Sequence, residues 1–248
     1  PVSWNELIGA AGSRLKELLA AGKLPQIASI SHGRLSYGSL LLESVLFSAG
    51  IRRLYREASI ETLSAAPFFS LTGKRGSVRC DLDAADTVLS IGYDLFGGGF
   101  SAPDAANRLF ERLAAGKARY LHIGPVKNRS ASCATEFAAA RPGTEEIAAL
   151  GILRAAMEKS GRTLSNNSEL SSFCRTVLTN DEIESLTGIP GRTLDRIASL
   201  LMSSSAPLCI AGRGGFDIES SQTLSGTAII INALSGASGR TVLAAESP

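Results

Sequence analysis

Thr87-Val88-Leu89-Ser90-Ile91, followed at once by Gly92-Tyr93-Asp94, is the stretch that decides the fold. A short, nearly unbroken apolar run closed by turn residues reads as a strand buried on both faces. The glycine lets the chain leave the sheet tightly. After the loop Gly92 to Pro103, a helical pattern places Ala106, Leu109, Phe110 and Leu113 on one face. The same grammar recurs downstream. A strand from Ala118 to Ile123 ends in Gly124-Pro125. Phe137-Ala138-Ala139 leads into Arg141-Pro142-Gly143-Thr144-Glu145 and a helix from about Thr144 to Lys159. Pro207 to Ala211 ends in Gly212-Arg213-Gly214, with a helix from Ile218 to Leu234 beyond it. Such alternation predicts an α/β fold of mostly parallel sheets with helices on both faces, Rossmann-like.

Toward the amino terminus, Ser3-Trp4-Asn5-Glu6 fits a capping box at the start of a helix that carries Leu7, Ile8, Ala11, Leu15, Leu18 and Leu19 on one face. Ile27 to Ile30 reads as a strand, His32-Gly33-Arg34 as a turn, and Leu40 to Phe47 as a helix closed by Gly50. From Leu54 to Gly76 no clean periodicity is visible. Gly161 to Glu169 reads as a polar surface connector. Asp181 or Asn180 then caps a short helix, and Gly188-Ile189-Pro190 breaks into another from Thr193 to Met202.

With 248 residues, 44% hydrophobic and 19% charged, the chain can bury a sizeable core. A net charge of +2 without a dense basic run excludes a nucleic-acid footprint. No apolar segment is long enough to span a bilayer, and no signal-peptide pattern opens the chain. The expected setting is cytoplasmic, or membrane-associated through partner subunits. The start at Pro1, without Met, reads as a piece of a longer protein. Cys80, Cys133, Cys174 and Cys209 are far apart, so no metal-cluster spacing exists and no metal ligand is assigned; Cys209 reads as an inert core thiol.

Catalytic constellations are scarce. His122, within a strand pattern, reads as a hydrogen-bonded structural histidine; His32, at a strand end, is the better functional candidate. Neither a nucleophile elbow nor a Walker-type phosphate loop is present. The glycines at strand ends carry more information. Backbone amides can meet a phosphate only where no side chain intervenes, and a following helix N-terminus favours its charge. Gly92, Gly97 to Gly99, Gly143 and Gly212 to Gly215 meet that condition. Singly, each is better explained by a tight turn; as a set they point to nucleotide binding.

In this order, the motifs resemble the molybdopterin oxidoreductases that carry bis(molybdopterin guanine dinucleotide), the formate dehydrogenase and dimethyl sulfoxide reductase type. Ser3-Trp4-Asn5-Glu6 looks like the family's S-W-D-E helix entry, and Asp83 through Asp94 like its D-x-x-x-A-D-x-(I/V)-L-x-x-G-x-N stretch. Arg141 to Glu145 resembles R-P-G-T-D, Thr187-Gly188-Ile189 its T-G-V, Gly212-Arg213-Gly214 its G-x-G, and Asn232 to Gly239 its L-x-x-L-T-G-N-I-G.

The resemblance implies the central α/β region of a longer chain, with two interleaved subdomains, about 1–80 with 165–248, and 81–164. It implies a cofactor contacted by Gly92, Tyr93, Asp94, Gly124, Pro125, Arg141, Gly143, Thr144, Glu145, Gly212, Arg213 and Gly214. It also implies a 4Fe-4S cluster in a neighbouring domain, and iron-sulfur and other redox subunits as partners.

Departures accompany the likeness. The family's D-P-R loop, whose aspartate bonds guanine, reads Gly124-Pro125-Val126, a loss worth about 1.5–3 kcal/mol. Asp94 sets a carboxylate near the expected phosphates. The usual metal-ligand position falls near Ala58, with Ser59 the nearby oxygen ligand. Three functions follow. One is part of a molybdopterin-dependent oxidoreductase, forming the dinucleotide side of the cofactor cleft for two-electron chemistry. Another is a cofactor-free scaffold subunit of a respiratory electron-transfer complex, resembling the large subunit of NADH dehydrogenase. The third, outside the family, is a nucleotide-binding domain like the central one of thiamine-diphosphate enzymes.

Overall fold

The computed structural model describes residues 1–31, 37–56, 60–99, 103–160, 178–212 and 218–246. Internal contacts divide the chain into two units, Pro1–Ser59 and Ile60–Pro248. The boundaries near 80 and 165 expected from sequence lie inside the second unit.

In the first unit, helix α1 (Trp4–Ala20) opens on the expected capping box. The Glu6 amide donates to Ser3 Oγ at 3.3 Å, and the Ser3 amide donates to Glu6 Oε2 at 2.8 Å. Strand β1 (Ala28–Ser31), helix α2 (Tyr37–Ser48) and strand β2 (Arg53–Arg56) follow, and β1 pairs in parallel with β2. Neither helix buries a residue. Leu7, Ile8 and Leu19 on α1 and Leu41 and Val45 on α2 stand exposed.

The second unit begins with helix α3 (Ile60–Thr72) and strand β3 (Gly76–Cys80). Next come β4 (Thr87–Ile91), α4 (Pro103–Ala114), β5 (Arg119–Gly124), α5 (Arg129–Cys133), β6 (Glu136–Ala139) and α6 (Glu145–Ser160). Helices α7 (Asn180–Thr187) and α8 (Gly191–Met202), strand β7 (Pro207–Ala211), helix α9 (Ile218–Ser235) and strand β8 (Val242–Glu246) complete it. The main sheet has the order β6-β5-β4-β7, with every pair parallel. Thus the chain walks from β4 through β5 to β6, then returns to lay β7 along the other side of β4. Strand order reverses between β4 and β7, and in such sheets ligands bind in the crevice outside the carboxyl ends at that reversal. Pro207–Ala211 hydrogen-bonds to Thr87–Ile91, so the 165–248 stretch supplies a strand to the sheet that the 81–164 stretch builds.

Side-chain alternation divides the core between the two sheet faces. Leu89, Ile91, Leu121, Ile123 and Cys209 pack against α6, α8 and α9. Val88, Tyr120, Leu208 and Ile210 pack on the opposite face with Leu82 and Leu109. At the amino end, Asp86 accepts hydrogen bonds from Ser204 Oγ, from Ser205 Oγ at 2.5 Å and from the Ala206 amide at 3.2 Å. Asp83 forms a paired bond with Arg108, at 2.8 and 2.6 Å. Asp86 thus ties β4 to the turn before β7, while the exposed Asp83–Arg108 pair links the segment ahead of β4 to α4.

Several sequence expectations shift. The stretch from Leu54 to Gly76 holds most of β2, all of α3 and the first residue of β3. Pro67 lies inside α3, and a Cβ on Gly226 would stand 3.3 Å from it, so glycine lets α9 approach α3 closely. Thr179, rather than Asn180 or Asp181, caps α7, because Glu182 three residues on completes a capping box. Strand β8 was not expected; it pairs antiparallel with β3, from Gly76↔Glu246 to Cys80↔Val242. No helix among the described residues is long and apolar enough to cross a membrane.

Candidate functional site

Parallel register places the predicted loops side by side. Ile91 lies opposite Ile123 and Ala211, and Ile123 opposite Ala138. The ladder runs on into the loops: the Gly92 amide donates to the Ile123 carbonyl at 2.8 Å, Ala140 to Gly124 at 3.1 Å, and Gly212 to Ile91 at 2.8 Å. Gly92, Gly124, Arg141 and Gly212 therefore stand along one rim, the carboxyl end of the sheet. Arg213, Gly214, His32, Ala58 and Ser59 lie outside the described residues.

At the reversal, Gly212 is glycine because its Cα faces the Gly92 carbonyl. A Cβ there would fall far inside contact with that oxygen and 2.7 Å from the Tyr93 amide nitrogen. Tyr93 itself is buried. Asp94 turns back into its own loop. Its Oδ1 accepts from the Gly97 amide at 3.1 Å and from Ser130 Oγ at 2.6 Å, while Ser130 accepts from the Phe96 amide at 2.9 Å. The carboxylate thus stitches the β4 loop to α5.

The Arg141 loop is a tight turn. Pro142 and Gly143 occupy its centre, Gly143 has φ 77°, and the Thr144 amide donates to the Arg141 carbonyl at 3.2 Å, as a type II turn requires. Thr144 Oγ1 donates to the same carbonyl at 2.7 Å. The Arg141 guanidinium donates to the carbonyls of Ser185 and Leu186, the latter at 3.3 Å. A cation on the last carbonyls of α7 is favourable in its own right. Glu145, the first residue of α6, is 5% exposed, and its Oε2 has no hydrogen-bond partner among the described residues. A buried carboxylate oxygen left so is costly unless a donor arrives from elsewhere.

Sequence reading did not single out Ser90, Tyr120 and Ser130. Ser90 Oγ lies 2.7 Å from the Tyr120 hydroxyl, 2.6 Å from His122 Nδ1 and 3.4 Å from the Tyr93 carbonyl. The imidazole lies near-parallel to the rings of Tyr120 and Phe137, with centroids 6.0 and 5.8 Å away. Burial drives its pKa down to about 4, against an upward pull from Asp94, so the ring is neutral near pH 7. Burial likewise pushes the Tyr120 phenol up to about 12. His122 is structural and hydrogen-bonded, as its strand position suggests. Finding its partners required the pairing Ser90↔His122 between strands 32 residues apart. Cys209 is buried, its thiol pKa pushed up by the same desolvation. Among the described residues no cluster of histidine, cysteine or carboxylate side chains could hold a metal ion.

The fold is α/β, a parallel sheet with helices on both faces that reverses order at a glycine-lined rim, and it matches the fold of a molybdopterin enzyme. Among solved structures the chain resembles acetylene hydratase from Pelobacter acetylenicus, with a TM-score of 0.64 and 14% identity, over 98% of this chain and 34% of that one. Among curated proteins it resembles the menaquinone reductase, molybdopterin-binding-like subunit of Nitratidesulfovibrio vulgaris (strain Hildenborough). That likeness is 23% identical over 214 residues, 85% of this chain and 30% of the relative. No family model matches. The chain spans about a third of the length of either protein.

Proposed function

We propose that this chain is the central α/β part of a molybdopterin-dependent oxidoreductase subunit, and that its rim forms the dinucleotide side of a bis(molybdopterin guanine dinucleotide) cleft. The observation that carries this reading is the convergence of Gly92, Gly124, the Arg141–Glu145 turn and Gly212 at the carboxyl ends of adjacent parallel strands. The residues fit the group in one respect: Glu145 Oε2 is a buried acceptor with no partner among the described residues. The residues that would hold the cofactor are Gly92, Tyr93, Asp94, Gly124, Pro125, Arg141, Gly143, Thr144, Glu145 and Gly212, with Arg213 and Gly214 next in sequence. When bound, the group supplies a two-electron redox centre, while the protein supplies position and electrostatics. The relative's name, a subunit of a menaquinone reductase, supports partner subunits; a 4Fe-4S cluster in a neighbouring domain belongs to the same proposal.

A second reading, the cofactor-free scaffold, is favoured by a specific observation: two charged side chains of the rim, Arg141 and Asp94, are spent internally. Arg141 holds the end of α7, Asp94 holds Ser130, and Gly124 offers no side-chain acceptor. Metal and nucleobase analysis of the purified full-length protein separates the two. The cofactor reading expects about one molybdenum or tungsten and two guanines per chain. Absence of both would overturn it in favour of the scaffold.

A further inference from the structure

Among the described residues of the first unit, only Ile51 is buried. Strands β1 and β2 run parallel, and parallel sheets occur with both faces covered. Successive side chains alternate between those faces. Ser29 and Ser31 share the face on which α2 lies, since Ser31 Oγ donates to Glu43 Oε1 of that helix at 3.2 Å. Ile30 and Tyr55 stand opposite each other in the register on the other face, where they are 83% and 57% exposed. That face is bare and apolar. Two strands covered on one side fall short of a sheet that is stable by itself.

Helix α2 is left equally open. Glu43 is its one charged residue, and it is turned to Ser31. Leu40, Leu41 and Leu42 follow one another, about 100° apart around the axis, and all three are exposed together with Val45 and Phe47. A helix apolar on nearly every side belongs within a core and not at a surface. A second copy or a docked subunit would cover one side of α2; enclosing it takes strands and helices built into the same layer. The chain spans about a third of the length of the relatives it matches, so the polypeptide that could supply them is long enough.

We infer that the first unit is part of an α/β layer whose core is completed by a segment of the same polypeptide outside these 248 residues. That segment lays a helix on the Ile30–Tyr55 face and closes around α2. The inference rests on the reading of the chain as part of a longer subunit, and it holds whether or not the cofactor is bound.

Photo-crosslinking of the full-length protein, with Tyr55 replaced by the photoreactive p-benzoylphenylalanine, tests it. The expected product has the mass of one polypeptide, and peptide mapping joins position 55 to a residue beyond the 248. A product of doubled mass, a product containing another polypeptide, a bond to a residue within the 248, or no product each overturns the inference. If the replacement prevents folding, hydroxyl-radical footprinting of the unmodified full-length protein decides, diluted until light scattering reads one polypeptide per particle. Tyr55 and Leu41 are expected to react at least about tenfold more slowly than in free peptides of the same sequence. Rates equal to those of the peptides overturn the inference and leave the cofactor reading to its own metal and guanine analysis. A full-length mass equal to that of the 248 residues overturns both the inference and the longer-subunit reading.

Discussion

Gly212→Ala is expected to destabilise the second unit by at least about 3 kcal/mol and to reduce bound guanine nucleotide to less than a tenth. The added methyl would meet the backbone of a neighbouring strand, not the end of a movable side chain. The Gly212 amide is bound to the Ile91 carbonyl at 2.8 Å, which fixes how near the two strands lie, and the next carbonyl, Gly92, stands where the Cβ must go. Relief requires breaking that bond or prising β7 from β4 at the reversal of strand order, where the proposed cleft opens. A control uses the same substitution where nothing lies within 4 Å: Gly12→Ala, inside α1, should stabilise by about 0.5–1 kcal/mol. Denaturant midpoints of both variants of the full-length protein check the pair. Gly212→Ala within 0.5 kcal/mol of wild type, roughly the scatter of neutral surface changes, would disprove the close approach.

Asn232→Leu is expected to cost about 2–5 kcal/mol. Strand β7 is an edge of the sheet, and an unpaired edge leaves amides and carbonyls that must be satisfied or covered. Pro207 has no amide to leave unpaired, and its carbonyl accepts from Thr241 Oγ1. At Cys209 both backbone groups turn outward, and Asn232 of α9 answers both. Its Oδ1 accepts from the Cys209 amide at 2.7 Å and its Nδ2 donates to the Cys209 carbonyl at 2.8 Å. Leucine fills similar volume but strands two buried polar groups. Asn232→Asp keeps one acceptor but sets a carboxylate against a carbonyl, so it should not rescue. Thermal melting of the full-length variants is the check. Near-wild-type stability in Asn232→Leu would mean that the edge is satisfied by other means.

The main sheet was legible because its strands are short apolar runs closed by glycine or proline, and such runs in a parallel sheet need no partner to be recognised. Thr87–Ile91 and Pro207–Ala211 lie where periodicity places them. The Ser3 cap was equally plain, whereas at α7 the neighbouring Asn180 and Asp181 masked Thr179 as the cap. The β3–β8 pair was not, since Gly76-Ser77-Val78-Arg79-Cys80 is half polar and its partner lies more than 160 residues on. Helix α3 was hidden by Pro67 and by apolar residues spread around its circumference. At the site, the glycines and their shared rim could be read from strand ends. What the side chains do there could not. Arg141, which the resemblance sets among the cofactor contacts, looks free for that role until the carbonyls of Ser185 and Leu186, some 44 residues away, are brought to it. Asp94 looks like a departure from the family pattern until Ser130 arrives from α5. Long-range hydrogen bonds decide those roles, and spacing along the chain does not encode them.

An experimental density map of the full-length protein, purified with whatever it binds in the cell, tests the central claim most directly. The account predicts a dinucleotide lying across the carboxyl ends of β4 and β7, over Gly92 and Gly212, with a hydrogen-bond donor brought to Glu145 Oε2. Side chains or partner segments packed into that rim in place of a ligand, or a cofactor held at the opposite end of the sheet, would contradict it.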